Sequence, residues 1–210
     1  MSKEQTVIKY YVLCNKLKDL IRTGWINWNV QRNRIESVAE HIYSTQMLAI
    51  AMKYTYNYDI DLLKVILMLA IHESEEIFIG DLTIFDISKE EKEKMGHEAI
   101  HKLFNGILAA QELENLILEF DEKKTKESIF AFYCDKLECD LQAKLYDEQK
   151  CVDVNNQDNN DIRFNEDVDK LLKQNKTWGE MWLIFGQQRY NYDENFKNVS
   201  NYALSNKISR

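Results

Sequence analysis

The sequence has no proline and only six glycines among its 210 residues. Strand-rich domains need turn residues at short spacing, so the scarcity of both residue types favours helices. No run approaches the roughly 18 apolar residues of a membrane span, and the N-terminal segment MSKEQTVIKYYVLCNKL lacks the apolar core of a signal peptide. These absences predict an all-α, cytoplasmic protein that does not enter a membrane.

Cysteines and clusters of basic residues are also scarce. The four cysteines, at positions 14, 134, 139 and 151, form no C-x-x-C pair, which is typical of reduced thiols in the cytosol. Lysine and arginine total 27 and the acids total 35, so the formal net charge is −8. An acidic chain without a basic cluster is a poor match to long nucleic acid, although one arginine can hold the phosphate of a small nucleotide.

The spacing of apolar residues organises the chain as a single helical domain. It predicts helices over 5–22, 36–54, 59–76, 89–108, 111–119, 126–148 and 166–189. The third helix is the most apolar and is expected at the centre of the bundle, and a Ser88–Glu91 capping box opens the fourth. Asparagine-rich segments 22–37 and 151–165 are predicted to be loops, the second of them mobile. No linker divides residues 1–210, so a single domain is expected. Its catalytic core is expected at about 15–145, and a C-terminal helical extension at about 166–205.

Aromatic residues gather near the C-terminus, at Trp178, Trp182, Phe185, Tyr190 and Tyr192. They could fill a hydrophobic core or form the surface of a dimer. Of the two interpretations, the sequence favours the core, because large aromatic side chains at helical spacing are more often buried than exposed.

The segment LMLAIHESEEIFIGDL, residues 67–82, ends an apolar helix in a histidine and three acids. A helix that reaches the surface would explain these residues, and so would a site that holds an imidazole beside carboxylates. His41 is a second histidine beside an acid, and Asp135 lies in an otherwise apolar helix, where a carboxylate needs an ion pair or a metal. His97 and His101 form an i, i+4 couple that could bind metal, but a solvated helix face is favoured for them.

Three motifs resemble a known family. ESVAEH, then IHESEE followed by GDL, then CDKLECDLQAK occur in the order found in the HD-domain metal-dependent phosphohydrolases. The segment RTGW before the first histidine is similar to the 5′-deoxynucleotidase branch. The resemblance covers about residues 15–145. It implies a compact, all-α, multi-helix bundle and a phosphomonoesterase that hydrolyses (deoxy)ribonucleoside 5′-monophosphates to nucleoside and phosphate.

The resemblance also implies one divalent cation, which could be cobalt, manganese, magnesium, zinc or iron. Its ligands would be His41, His72, Glu73 and Asp135. Two imidazoles and two carboxylates give a divalent cation a mixed nitrogen and oxygen shell. Members of the branch are often dimeric, which favours a homodimer.

The resemblance gives further acids separate roles. By the resemblance, Glu76, four residues after His72, matches the catalytic acid/base. Residues at this spacing on a helix share a face. Asp81 matches the acid of the Gly-Asp pair that contacts the sugar. Glu75 matches no such residue and is expected to be solvated.

The substrate-binding residues are assigned from the RTGW segment. Arg22 matches the arginine that binds the phosphate, with Arg32 and Arg34 as rivals further along the same loop. Trp25 matches the aromatic residue that crowds the 2′ position of the sugar and so favours deoxyribose by exclusion.

One position departs from the family pattern. The usual doublet is His-Asp, and this chain has His72-Glu73. Glutamate can ligate a divalent cation through oxygen, but its extra methylene must fold back or bind from a shifted backbone. Two alternatives therefore stay open. The chain could be an HD phosphohydrolase that acts on another nucleotide or phosphoester, or a catalytically decayed HD-fold binding protein, for which Glu73 is the only support.

Overall fold

Helices form the regular structure of the chain. The computed structural model describes residues 1–83, 87–158, 160–174 and 177–209. Within these residues the fold is all-α, as predicted, and the only β-pairing is an isolated antiparallel bridge between Ile21 and Ser37. Among the described helices, none combines the length and the apolar character needed to cross a membrane. The α-helices are α1 (Lys3–Cys14), α2 (Thr23–Asn27), α3 (Val38–Tyr56), α4 (Leu62–Ile71), α5 (Glu76–Ile79), α6 (Lys89–Phe104), α7 (Ala110–Glu122), α8 (Lys126–Glu148), α9 (Glu166–Lys173), α10 (Trp178–Arg189) and α11 (Glu194–Ser205).

The chain divides into two units by the density of its internal packing. The first unit comprises residues 1–23 and 36–132, and the second comprises residues 24–35 and 133–210. Neither unit is continuous in sequence, because the segment 24–35 leaves the first unit and joins the second. The organisation of residues 1–210 as one domain stays a prediction.

The first unit is built around α3 and α4. Val65, Met68 and Leu69 of α4 are fully buried, as expected for the most apolar helix. They lie beside a core shared by α3, α4, α6 and α7, with members such as Val38 and Phe104. Burial of these large side chains supplies most of the favourable free energy, since each contributes roughly 1.5–3 kcal/mol.

The helix predicted over 59–76 is shorter than expected. Asp61 caps its N-terminus by accepting hydrogen bonds from two backbone N–H groups of the first turn, and the helix ends at Ile71. Residues 72–75 then form a tight turn, in which the Glu76 N–H donates to the carbonyl of Glu73, three residues back, at 3.2 Å. The acids of this segment are therefore presented by a turn and a new short helix.

The second unit has an aromatic core. Trp25, Trp28 and Trp178 are almost fully buried, and Trp25 makes edge-on contacts with Tyr146 at 5.5 Å and Trp182 at 5.9 Å between ring centroids. The placement of the C-terminal aromatic residues in a core is thereby confirmed. The prediction that 22–37 is entirely loop is wrong, because burial of two tryptophans fixes the short helix α2.

The described residues of the asparagine-rich segment 151–165 include buried side-chain amides. Gln157 and Asn160 are buried, and the Gln157 amide donates to the carbonyl of Trp28 at 3.0 Å. A 3₁₀ helix, Asp161–Phe164, follows. The side-chain amides take the place of the missing backbone pairing. The helix predicted over 166–189 is divided into α9 and α10, and α11 forms in the tail.

Two helices of the second unit approach closely through a glycine. Asp140 of α8 is buried and accepts a hydrogen bond from the Tyr192 hydroxyl at 3.1 Å, and burial raises the pKa of its carboxyl well above the usual range. Gly186 of α10 faces this carboxyl, and a Cβ at Gly186 would lie 2.0 Å from Oδ2 of Asp140. Only a residue without a side chain fits there.

We therefore expect Gly186→Ala to lower the free energy of unfolding by roughly 1–3 kcal/mol, the usual cost of overpacking a core. Gly24→Ala is the matched control, because a Cβ at Gly24 meets nothing within 4 Å, and we expect it to change stability by no more than about 1 kcal/mol. Urea denaturation followed by circular dichroism measures both. Equal stabilities of the two variants would contradict the close approach.

Candidate active site

His41 lies in the first turn of α3. A capping box starts this helix, since the Glu40 N–H donates to Oγ of Ser37 at 3.3 Å and the Ser37 N–H donates to Oε2 of Glu40 at 2.9 Å. The acid beside His41 is therefore a capping residue. His41 itself is completely buried, so its imidazole points into the first unit rather than into water.

His72 is the residue that caps the C-terminus of α4. Its Nδ1 atom is 2.9 Å from the carbonyl oxygen of Leu69. A carbonyl only accepts hydrogen bonds, so Nδ1 carries a proton, and Nε2 is the ring nitrogen that faces Glu73. The ring of Phe120 packs edge-on at 5.2 Å between centroids and limits its rotation.

Both imidazoles face the same carboxylate oxygen. Oε1 of Glu73 is 3.8 Å from Nε2 of His41 and 3.6 Å from Nε2 of His72, and the three residues each offer a ligand atom within 4.8 Å of the others. Two imidazole nitrogens and one carboxylate oxygen suit a divalent transition metal or magnesium. The fixed tautomer of His72 also fits, because metal-binding histidines usually donate their other N–H to a carbonyl or a carboxylate.

An arginine and a second acid lie beside this group. Nη1 of Arg22 is 3.4 Å from Oε1 of Glu73 and 3.7 Å from Oδ1 of Asp81, and the Thr23 N–H donates to Oδ2 of Asp81 at 2.7 Å. Arg22 is held near α3 because its own N–H donates to the carbonyl of Glu36 at 3.1 Å. Gly80, with a φ of 78°, makes the turn that brings Asp81 back to this cluster.

Glu76 is a buried acid of the same cluster. Neither of its carboxyl oxygens accepts a hydrogen bond from a residue that the structure describes. Burial, followed by the negative charges of Glu73 and Asp81, raises its pKa well above the usual range, and Arg22 opposes this shift. A raised pKa favours the protonated carboxyl, which can donate its proton, and a nearby cation would lower the pKa again.

Two further acids were not assigned a role from the sequence. Glu75 was expected to be solvated, but its Oε2 atom is buried, and burial and the charge of Glu73 raise its pKa to about 8. Glu36 is buried, with an oxygen within 4.8 Å of a ring nitrogen of His41. The only sequence signal for Glu36 is its place at the start of ESVAEH.

Two residues of the predicted site belong to the second unit. Asp135 is buried on α8. Its Oδ2 atom is 2.8 Å from Nζ of Lys136, so the carboxylate forms an ion pair with this lysine. Trp25 is buried in the aromatic core, and its packing there is sufficient to explain a large side chain at this position. Their roles in binding a metal and a sugar stay predictions.

The rival residues lie elsewhere. His97 is 3.5 Å from Asp121, and the exposed His101 is 3.1 Å from Glu114, so each faces an acid of α7, as a solvated helix face implies. Arg32 lies over the ring of Tyr146 in the second unit. Arg22, at the start of the loop, contacts both Glu73 and Asp81.

The chain is similar in sequence to proteins of known activity. The chain is 35% identical over 150 residues to the 5′-deoxynucleotidase HDDC2 of Dictyostelium discoideum, which covers 68% of this chain and 78% of that protein. It is 30% identical over 148 residues to the human 5′-deoxynucleotidase HDDC2, covering 69% of this chain and 70% of that protein.

The fold is shared with a solved structure. The PH0347 protein of Pyrococcus horikoshii OT3 superposes with a TM-score of 0.66 at 22% identity, over 94% of this chain and 98% of that one. The family model for the HD domain matches residues 14–177, a range that includes both histidines, the acids after His72 and Asp135. The chain therefore belongs to the HD domain family.

Proposed function

We propose that the protein is a metal-dependent phosphomonoesterase that hydrolyses deoxyribonucleoside 5′-monophosphates to nucleoside and phosphate. The observation that carries the proposal is the convergence of His41, His72 and Glu73, with Arg22 beside them. The relatives named as 5′-deoxynucleotidases support the same substrate class. Four free cysteines support a location in the reducing cytoplasm.

A divalent cation would be held by His41, His72 and Glu73, with Asp135 proposed as the fourth ligand because it matches the family motif. When bound, it supplies an activated water and a positive charge for a phosphate oxygen. The residues themselves fix the orientation of the donors before the cation arrives, through the Leu69 carbonyl at His72 and the capping box at His41.

Arg22 is the proposed phosphate ligand. Its guanidinium is largely buried and already oriented by Glu73 and Asp81, so little side-chain entropy is lost when it binds an anion. A planar guanidinium can hold two phosphate oxygens at once. Asp81 accepts the Thr23 N–H with one oxygen, and we propose that its other oxygen accepts a hydrogen bond from the sugar 3′-hydroxyl.

Glu76 is the proposed acid/base. Phosphoryl transfer needs an in-line water and a proton for the leaving oxygen. Glu76 is buried beside Glu73 and Arg22, where no described residue donates a hydrogen bond to its oxygens, so its carboxyl is free to exchange a proton with water or with the substrate. Trp25 is proposed to disfavour ribose by crowding the 2′ position.

We expect purified protein to release phosphate from dAMP in the presence of Co²⁺, Mn²⁺ or Mg²⁺, and to lose this activity when a chelator is added. AMP should react more slowly, and cAMP should not react. A phosphate-release assay over these substrates and metals measures each rate. Equal rates on dAMP and AMP would remove the role of Trp25, and no release under any condition would contradict the enzyme proposal.

We expect Glu76→Gln to lower kcat by roughly 10²–10⁴-fold, because an amide cannot transfer a proton. Glu75→Gln is the matched control on the same segment, and it should keep most of the activity. Metal content measured by elemental analysis should be unchanged in both variants. If Glu76→Gln turned over normally, the acid/base would have to be another group.

Glu73 can be tested without an assay of activity. We expect Glu73→Ala to weaken metal binding by more than roughly 100-fold, since even changes beside a metal ligand cost 10–100-fold. Glu73→Asp keeps the carboxylate and should still bind. Isothermal titration calorimetry with Mn²⁺ measures both affinities. Unchanged affinity in Glu73→Ala would place the cation elsewhere.

A further inference from the structure

Helix α6 contacts the segment that carries most of the proposed site. Within residues 72–82, α5 packs against α6. Gly96 of α6 is buried, and a Cβ at this position would lie 3.5 Å from Cγ of Glu75, so the backbone of α6 lies close to the turn after α4. Four residues of the proposed site belong to this segment: His72, Glu73, Glu76 and Asp81.

Lys92 lies one turn before Gly96, on the same face of α6. It is half-buried, and its Nζ atom donates a hydrogen bond to the carbonyl oxygen of Leu82 at 2.5 Å, across ten positions of the sequence. Its charge also reaches the turn, because burial and the charge of Glu73 raise the pKa of Glu75 and Lys92 opposes that rise. The ammonium group therefore points toward the segment that carries the site.

The bond from Lys92 acts one residue away from Asp81. On the other side of Asp81, the Gly80 N–H donates to the carbonyl of Glu76 at 2.9 Å and ends α5. Gly80 has a φ of 78°, and glycine rotates more freely than other residues, so α5 constrains the direction of the chain after it only weakly. A contact beyond the glycine is needed to fix that direction, and the carbonyl of Leu82 provides it.

A lysine is a suitable donor for this contact. Ordering its long side chain costs rotamer entropy, and a hydrogen bond from an ionised donor, which is stronger than a neutral one, offsets that cost. Arginine also carries charged N–H donors, whereas methionine has a long, flexible side chain without a donor. These two residue types therefore separate the hydrogen bond from the packing of the side chain.

The carboxylate of Asp81 is oriented from a different part of the chain. The Thr23 N–H donates to Oδ2 at 2.7 Å, and Nη1 of Arg22 is 3.7 Å from Oδ1. These contacts hold the end of the side chain, whereas Lys92 holds the backbone next to it. Both ends must be fixed if Oδ1 is to stay in one place.

We propose that Lys92 is a positioning residue, which holds the backbone at Leu82 so that Asp81 can accept a hydrogen bond from the sugar 3′-hydroxyl. This role rests on the proposed function, because it concerns the same substrate. The 3′-hydroxyl is remote from the reacting phosphate, so loss of its hydrogen bond weakens the substrate complex and the transition state alike. Such a loss raises KM and leaves kcat nearly unchanged.

The test compares hydrolysis of dAMP with that of 2′,3′-dideoxyadenosine 5′-monophosphate, which lacks the 3′-hydroxyl. The wild-type protein should prefer dAMP in kcat/KM by roughly 10–100-fold, as expected for a hydrogen bond to a charged group. Lys92→Met should lose most of this preference through a higher KM for dAMP, with little change for the dideoxynucleotide. Its affinity for Mn²⁺, measured by isothermal titration calorimetry, should equal that of the wild-type protein.

Two further variants separate the hydrogen bond from other effects of the substitution. Lys92→Arg keeps a charged donor and should retain the preference for dAMP. Lys94→Met is the matched control, because Lys94 is exposed on the same helix, and it should behave as the wild-type protein does. Circular dichroism checks that each variant is folded, and Lys92→Ala replaces Lys92→Met if that variant does not fold.

Hydrogen–deuterium exchange measures the positioning without an assay of activity. The backbone amides of residues 80–83 should exchange faster in Lys92→Met than in Lys94→Met. Equal exchange in these two variants, or a wild-type preference for dAMP in Lys92→Met, would overturn the proposal. A wild-type protein that hydrolyses both nucleotides equally well would also overturn it. A wild-type protein that hydrolyses neither would contradict the proposed function itself, and the exchange rates would still show whether Lys92 holds the segment.

Discussion

One carboxylate oxygen organises the candidate site. Oε1 of Glu73 is approached by the Nε2 atoms of two histidines and by the guanidinium of Arg22, at 3.8, 3.6 and 3.4 Å. These groups come from the start of α3, the end of α4 and the segment before α2. Backbone pairing joins residues 20–22 to 36–38. This pairing brings Arg22 and His41 to the same oxygen.

The turn after α4 explains how glutamate can stand where the family has aspartate. A continuous helix would send residues 72, 73 and 76 in directions set by its 3.6-residue period. The structure instead tightens the chain at residues 72–75 and starts α5 at Glu76. A longer side chain at position 73 can then fold back toward His41 and His72, because its backbone is no longer constrained by α4.

The sequence was sufficient for the fold class and for grouping two histidines, two acids and an arginine of the first unit as one candidate site. His41, His72, Glu73, Arg22 and Asp81 could be found because their motifs are short and ordered along the chain. The tight turn at 72–75, the bond from His72 to the Leu69 carbonyl and the burial of Glu75 could not. They depend on backbone hydrogen bonds and on packing between α5 and α6, and side-chain spacing alone does not encode either. Trp25 and Trp28, which were predicted to lie in a loop, are likewise buried in the core.

The charges gathered around Arg22 have a consequence for the order in which ligands bind. Three carboxyl groups, of Glu73, Glu76 and Asp81, share one guanidinium. A phosphate dianion that approached this set alone would meet repulsion and would have to draw Arg22 away from its acids. If His41, His72 and Glu73 held a cation, part of that charge would be neutralised and the guanidinium would be freer to meet the incoming anion. Substrate affinity should therefore be thermodynamically coupled to cation occupancy, each strengthening the other by the same factor.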